Sequence, residues 1–216
     1  MTAPTLEVGS RREQSRNVRR TWILDIAVAA FLKHGYARTS MSAIAGEMGG
    51  SKATLWAYFS SKEELFAAAI DRATKEFRAE LVTILDRQDD PKTTLVHFCE
   101  QFLLKATSPQ AIALQRVVIG EAGRFPEIGR IFYERGPMET NKLLARYLKI
   151  LMDQGTLRED EPLKLALFLI GHCFVGLQQL LLMKIIEDVD IYIIKEVANS
   201  SVEFFLSASE IEINQK

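Results

Sequence analysis

The chain has 216 residues, of which 48% are apolar and 25% are charged, an ordinary balance for a globular protein of one or two domains. The net charge of −1 conceals an asymmetry, because residues 1–62 carry a net charge of +5 and residues 63–216 a net charge of −6. This asymmetry predicts that only the first segment meets a polyanion. The two cysteines, Cys99 and Cys173, exclude a disulfide framework and are expected to be buried and reduced.

The first segment of the chain contains the signals of three helices. Residues 1–14 lack the apolar core of a signal peptide and are expected to form a disordered basic arm. Apolar residues that recur every four positions predict a helix over 15–34, ended by Gly35. Two short helices are predicted over 41–48 and 52–58, and the glycine-containing turn between them indicates a helix-turn-helix.

The remainder of the chain is also predicted to be helical. A long helix is expected from Ser61 to Asp86, with the side chain of Glu64 reaching back to the Ser61 amide in a capping box. Prolines that follow capping residues mark several later helix starts. The later helices are expected at 91–106, at 109–123, from Pro126 to Gly136, from Pro137 to Asp153, at 162–186 and at 190–208. Since no strand pattern is present, the fold is predicted to be all-α, with nine or ten helices.

One apolar segment, residues 165–183, has the length of a membrane span. Three polar residues inside it, His172, Gln178 and Gln179, and the acidic stretch before it make insertion unfavourable. We expect no membrane partner. A helix that is apolar nearly all round is normally buried, either in the core or against a second subunit.

Once the apolar residues of the helix-turn-helix are assigned to its core, a set of mostly polar residues remains for its outer surface. Ile44, Ala45, Leu55 and Phe59 are expected to pack inward against the first helix. The residues that remain carry hydroxyl groups, ammonium groups and aromatic rings, which suit contacts with base edges and phosphates in DNA. They are Ser40, Ser42, Ser51, Lys52, Ala53, Thr54, Trp56, Tyr58 and Lys62. Additional positive charge comes from Arg11, Arg12, Arg16, Arg19 and Arg20.

The same stretch closely resembles the DNA-binding domain of the TetR family of bacterial transcriptional regulators. The resemblance lies in the sequence GYARTSMSAIAGEMGGSKATLWAYFSSKEELF. The family pattern is matched at Gly35-Tyr36, Ser40, Ile44-Ala45, Ser51 to Trp56, Tyr58-Phe59 and Ser61 to Glu63. Three positions depart from it: Gly50 replaces an apolar residue, Ala53 a glycine and Trp56 a tyrosine that contacts phosphate. Trp56 is therefore open to two interpretations, a DNA contact or packing inside the protein.

The resemblance implies a DNA-binding domain over 15–62 and a helical domain over 63–216 that dimerises and encloses a small-molecule effector. Residues 115–137 are similar to a subgroup that includes regulators of multidrug efflux operons. Independently, the two last helices, near 162–186 and 190–208, are apolar enough to form a four-helix interface with a second copy of the chain.

An effector pocket is expected between the long helix and the helices from 91 to 183, where polar residues stand among apolar ones. The candidates are Phe98, Phe102, Gln115, Arg116, Glu121, Phe125, Phe132, His172, Gln178 and Gln179. The alternative for each is ordinary packing, an interhelical hydrogen bond or an interface contact. The phenylalanines favour an apolar or aromatic effector.

Enzyme function is disfavoured because the sequence has no metal-binding, nucleophile-elbow or phosphate-loop motif. No cofactor is expected. The prediction is a cytoplasmic bacterial homodimer that represses transcription from a palindromic operator and is released by a small effector. The alternatives are an activator of the same fold, or a helical small-molecule-binding protein without DNA binding.

Overall fold

In this computed structural model of the protein, residues 11–87 and 89–209 are described, with only the backbone for Arg11 and Arg12. The first ten residues of the predicted arm lie outside these ranges. The described residues form ten helices and no strands, which confirms the all-α prediction. The helices are α1 (Arg11–Arg38), α2 (Met41–Glu47), α3 (Lys52–Trp56), α4 (Lys62–Leu85), α5 (Pro91–Ala106), α6 (Pro109–Glu121), α7 (Pro126–Arg135), α8 (Pro137–Asp153), α9 (Pro162–Leu182) and α10 (Ile191–Ser209).

Helix starts follow the local signals in the sequence. Each of the helices α5 to α8 begins at the predicted proline, whose missing amide costs nothing in the first turn. A carboxylate oxygen of Asp90 accepts a hydrogen bond from the Thr93 amide over 3.1 Å, and Ser108 Oγ accepts one from the Ala111 amide over 3.3 Å. These caps satisfy amides that have no partner within the helix.

Several helix boundaries differ from the prediction, most of them by one or two residues and the following two by four. The first helix begins at Arg11 rather than residue 15, so the last four residues of the predicted arm are helical. Helix α9 ends at Leu182, although apolar residues continue to Ile186. The chain leaves the helix because Lys184 adopts a left-handed conformation with φ 56°.

Gly35 interrupts the first helix with a non-helical conformation, at the position where the sequence predicts its end. Its φ of 78° lies in the left-handed region, which glycine adopts without a Cβ clash. Helical hydrogen bonding resumes beyond it, as far as Arg38. The buried hydroxyl of Thr39 donates to the carbonyl oxygens of Gly35, over 2.7 Å, and Ala30, over 3.2 Å. These bonds tie the bend to the body of the helix.

The chain divides into two compact units, Met1–Ala73 and Thr74–Lys216, and α4 runs from one into the other. This division falls eleven residues after the predicted boundary at 62/63, within α4. In the core of the first unit, Phe66 lies edge-on to Phe31 and Tyr36, with ring centroids 5.1 and 5.4 Å apart. Such edge-to-face pairs add to the free energy gained by burying the rings.

The core of the second unit is formed by side chains from α4, α5, α8, α9 and α10. It includes Cys99 and Cys173, which are free and buried, as predicted. The side-chain hydrogen bond that Cys99 shares with Cys173, together with burial, raises the pKa of the Cys99 thiol well above its ordinary value of 9.0. The Cys99 thiol therefore stays protonated in the core.

Helix α9 has one buried face rather than being buried all round. Ala166, Leu169, Ile170, Cys173 and Leu181 are buried, and the helix packs against α8 and α10. The opposite face exposes the large side chains of Leu167, Phe168, Val175 and Leu180. Within the described ranges, α9 is the one helix long and apolar enough to cross a membrane.

Candidate nucleic-acid interface

Helices α2 and α3 are connected by a short turn and capped by serines. Ser40 Oγ accepts a hydrogen bond from the Ala43 amide over 3.1 Å, and Ser51 Oγ accepts one from the Thr54 amide over 3.1 Å. Between them, Gly49 has a φ of 59°, a conformation that glycine adopts readily. The caps and the glycine start and stop two helices that are too short to be stable alone.

The predicted inner face of this helix pair is confirmed. Ile44 and Ala45 on α2, Leu55 on α3, and Phe59 just after α3 are all buried. Leu55 is completely inaccessible, which fixes the rotation of α3 about its own axis. The opposite side of α3 must therefore face outward.

The predicted DNA-contact residues lie on the outward side. Ser40, Ser42, Ser51, Lys52, Ala53 and Trp56 are exposed, and Thr54, Tyr58 and Lys62 are half-buried. The Thr54 hydroxyl lies 2.9 Å from Ser51 Oγ, so these two hydroxyls form one hydrogen-bonded pair. The Trp56 side chain is 44% exposed, which excludes packing inside the core of the first unit.

Cationic side chains lie over aromatic rings around α3, an arrangement that sequence reasoning missed. Arg16 lies over the ring of Tyr58, with its guanidinium carbon 5.7 Å from the ring centroid. Lys62 Nζ lies 4.0 Å above the ring centroid of Tyr36. Such cation–π contacts hold a charge and a ring in a fixed relative position. The spacing of the basic residues on α1 is helical, but their aromatic partners come from another part of the chain.

The entry to α4 differs in one respect from the predicted capping box. Ser61 Oγ accepts a hydrogen bond from the Glu64 amide over 3.0 Å, as expected. The Glu64 carboxylate accepts from the amide and the hydroxyl of Ser60, both over 2.7 Å, instead of from the Ser61 amide. These bonds from Ser60, its side chain first, lower the pKa of Glu64. The Glu64 carboxylate thus holds Ser60, the residue before the predicted cap Ser61.

Some of the predicted ligand-binding residues meet in the second unit. Gln178 Nε2 on α9 donates to Gln115 Oε1 on α6 over 2.5 Å. The guanidinium of Arg116 donates to the carbonyl oxygens of Leu181 and Leu182, the Leu182 bond being 3.2 Å long. It thereby caps the C-terminus of α9, where a cation is favoured by the helix dipole.

Three of the ligand candidates lie at the two extremes of exposure. His172 and Gln179 are exposed on α9, and Phe98 is completely buried in the core of the second unit. The sequence could not separate the two faces of an apolar helix. Of the other candidates, Phe102 packs edge-on against Phe174 with centroids 5.4 Å apart. The candidates Glu121, Phe125 and Phe132 are half-buried on α6, α7 and the turn between them.

Asn141 is a buried polar residue that the sequence analysis did not select. Its Nδ2 donates to the Pro137 carbonyl oxygen over 2.9 Å, but Oδ1 is buried without a hydrogen-bond partner among the described residues. A buried acceptor left unsatisfied costs free energy, so such an atom marks a place where a polar group could bind. The signal in the sequence was an asparagine among the apolar residues of α8, the helix that packs against α9.

A groove in the second unit lies between α4 and α5, in the region where the sequence predicts the pocket. Its volume is about 460 Å³, and its lining residues come from α4, from Arg87 just after α4, and from α5. They include Glu80, His97 and Glu100 but none of the predicted ligand candidates.

Family models match both parts of the chain. The model described as bacterial regulatory proteins, tetR family, matches residues 23–69, which contain the helix-turn-helix. A second, described as AefR-like transcriptional repressor, C-terminal domain, matches residues 93–209, more than half of the chain. The chain belongs to the TetR family. It is a DNA-binding transcriptional regulator rather than an enzyme, as predicted.

Individual TetR-family members agree with this assignment. The flavonoid-responsive regulator FrrA has a structure similar to this chain, with 31% identity, a TM-score of 0.76 and coverage of 90% of this chain and 98% of FrrA. A TetR-family regulator of Mesorhizobium loti shares the fold at 24% identity and a TM-score of 0.79, covering 91% of this chain and 99% of that one. The regulator BetI of Agrobacterium fabrum is 30% identical over 117 residues, 53% of this chain and 56% of BetI.

Proposed function

We propose that the protein is a cytoplasmic, homodimeric repressor that binds a palindromic operator and leaves it when a small apolar or aromatic ligand binds. The observation that carries the proposal is the outward face of α3. Ser51, Lys52 and Ala53 are exposed at its N-terminal end, while Leu55 holds the opposite face in the core. The N-terminal residues of a helix inserted in the major groove are those that reach base edges.

The side chains on this face suggest a division of roles. Lys52 donates to guanine O6 or N7, and the methyl groups of Ala53 and Thr54 contact thymine methyl groups. Tyr58, Trp56 and Lys62, with Ser40 and Ser42 on the α2 side, donate to phosphates and fix the register of the protein on DNA. The exposure of Trp56 supports this role, since its indole N–H is a donor on an accessible ring.

Dimerisation is proposed through the exposed faces of α9 and α10. Phe168 on α9 and Phe204 on α10 are 48% and 53% exposed, and His172 stacks between the helices with its ring centroid 5.3 Å from that of Phe204. Large exposed apolar surfaces mark protein–protein contacts. A two-fold dimer places two recognition helices about 34–36 Å apart, one turn of DNA, so the operator is an imperfect palindrome.

The effector site is proposed among α5, α6, α8 and α9. Gln115, Gln178 and Asn141 offer amide groups, and Phe102, Phe125 and Phe132 supply apolar walls. Arg116 and Glu121 lie on the same helix as Gln115. An aromatic effector suits this composition, and FrrA, 31% identical, is described as flavonoid-responsive. A ligand that competes for the Gln115–Gln178 hydrogen bond would alter the packing of α6 on α9.

Release is proposed to act through α4, which begins at Lys62 and continues into the second unit. A ligand shifts an equilibrium only by its differential affinity for two states. We propose that the effector favours a position of α4 in which the two recognition helices no longer fit successive major grooves.

The experiment is DNase footprinting of the full-length protein on fragments that flank its own gene. Protection of an imperfect palindrome and its loss on ligand titration are the expected results. Protection of a site without two-fold symmetry contradicts the binding of a dimer to a palindromic operator. Operator occupancy that no ligand reduces contradicts release by an effector.

The role of Lys52 is tested on variants of the footprinted operator. Lys52→Ala is expected to lower discrimination at one base pair by about 1–3 kcal/mol, because a base-edge contact is lost. Arg130→Ala, which removes an equal charge from an exposed site on α7, is the control and should keep the wild-type preference. Unchanged base preference in Lys52→Ala would show that Lys52 does not read the sequence.

A further inference from the structure

Gly50 occupies a position at which the family pattern has an apolar residue, and none of the DNA contacts proposed above involves it. It ends the turn after α2, where its amide donates to the Ala45 carbonyl oxygen over 3.2 Å. A Cβ atom added at position 50 would lie 3.7 Å from Nη2 of Arg19 and 4.0 Å from Cβ of Met48. The guanidinium of Arg19 therefore lies directly against the turn. A methyl group would meet it at van der Waals distance, whereas valine would need the volume that the guanidinium fills.

Arg19 differs from the cations on either side of it in α1. The guanidinium groups of Arg16 and Arg20 lie over the rings of Tyr58 and Phe59, at 5.7 and 5.1 Å from the ring centroids. Arg19 is exposed, and its guanidinium makes no hydrogen bond or ion pair within the part of the chain that the structure describes. Its planar fork of five N–H donors is thus held at the turn without an acceptor from the protein.

We infer that Arg19 binds a DNA phosphate beside the point where α3 enters the groove, and that Gly50 makes room for this contact. The inference rests on the proposed function. A guanidinium matches the geometry of a phosphate, which it can bind through two parallel hydrogen bonds. A phosphate contact carries no base information, so Arg19 supplies affinity and orientation while Lys52 reads the bases. A larger side chain at position 50 removes the contact without altering the arginine.

The test measures the dissociation constant of the full-length protein on its footprinted operator at a series of salt concentrations. Arg19→Ala is expected to weaken binding about tenfold. It should also flatten the slope of log affinity against log salt by about 0.9 and leave base preference unchanged. Gly50→Val should give the same loss, whereas Gly50→Ala should keep the wild-type affinity. The charge control is Arg130→Ala, for which the wild-type slope is expected.

The outcomes separate this inference from the proposed function. Failure of the wild-type protein to protect any DNA refutes the proposed function before a variant is compared. A wild-type slope in Arg19→Ala overturns the phosphate contact and leaves operator binding intact. The double variant Gly50→Val/Arg19→Ala tests the role of the glycine: if valine acts by displacing Arg19, the double variant binds as tightly as Arg19→Ala alone. If the affinity losses of the two single variants add up in the double variant, the inferred role of Gly50 is wrong.

Discussion

Glu64 fixes the chain that enters α4 through one carboxylate oxygen. That oxygen accepts hydrogen bonds from the amide and the hydroxyl of Ser60, and the Glu64 amide donates to Ser61. The two bonds from Ser60 favour the ionised carboxylate, which is why its pKa is lowered from 4.5. A lowered pKa in the folded state means that ionisation of this group stabilises the fold.

The pH dependence of stability follows from this shift. The contribution of Glu64 is fully present above the unfolded pKa and is lost as the pH falls through the lower, folded pKa. Glu64→Gln should therefore reduce the free energy of unfolding at neutral pH and weaken its decline as the pH falls below the ordinary glutamate pKa of 4.5. Denaturant unfolding at several pH values measures both effects. Glu47→Gln, an exposed site on α2, is the control, and equal pH profiles for wild type and Glu64→Gln would refute the role of this carboxylate.

The role of a residue could be predicted from the sequence only where that role depends on neighbours a few positions away in the chain. The caps at Ser40 and Ser51 depend on neighbours three residues away, and both were predictable. The exposure of Trp56 was not, because about 100° of helix rotation separates it from Leu55 and either face was available. Contacts such as that of Arg16 with Tyr58 require the tertiary structure.

At the scale of the element, α3 is notable for its length of five residues. A helix this short has almost no intrinsic stability, so its geometry depends on its cap and on Leu55. Ser51→Ala is expected to lower the free energy of unfolding by about 1 kcal/mol, because the Thr54 amide loses the Ser51 hydroxyl as an acceptor and keeps only the Ser51 carbonyl oxygen, 3.0 Å away. Denaturant unfolding measures this without DNA. Ser42→Ala, exposed on α2, is the matched control, and an equal loss in both variants would show that the cap contributes nothing specific.

Helix starts were more predictable than helix ends. A proline at the first position and a capping side chain before it are local features, and they located α5 and α6. The end of α9 was misplaced because Ile185 and Ile186 continue its apolar pattern. Both faces of that pattern are apolar, so periodicity could not identify the side that packs on α8 and α10. The sequence consequently could not show that His172 and Gln179 on α9 are exposed while Gln178 contacts Gln115.

At the scale of the whole molecule, the exposed face of α9 and α10 governs the proposed assembly. Phe204→Glu is expected to raise the dimer dissociation constant about 100-fold or more, because a carboxylate would be buried without a partner. Operator affinity should fall with it, since a monomer presents one recognition helix. Sedimentation equilibrium and footprinting measure the two effects. Ile150→Glu, at a 51% exposed site on α8, should leave both unchanged. A Phe204→Glu protein that remains dimeric would contradict this interface.

The stack of Phe168, His172 and Phe204 also provides a spectroscopic probe. The imidazole of His172 lies nearly parallel to both phenyl rings, at 10° to Phe168 and 19° to Phe204. Circulating π electrons shift the resonances of protons that lie over a ring face. The chain contains three histidines, so the imidazole region of a proton spectrum holds few signals. One of them belongs to the proposed interface and can report its assembly in an unlabelled protein.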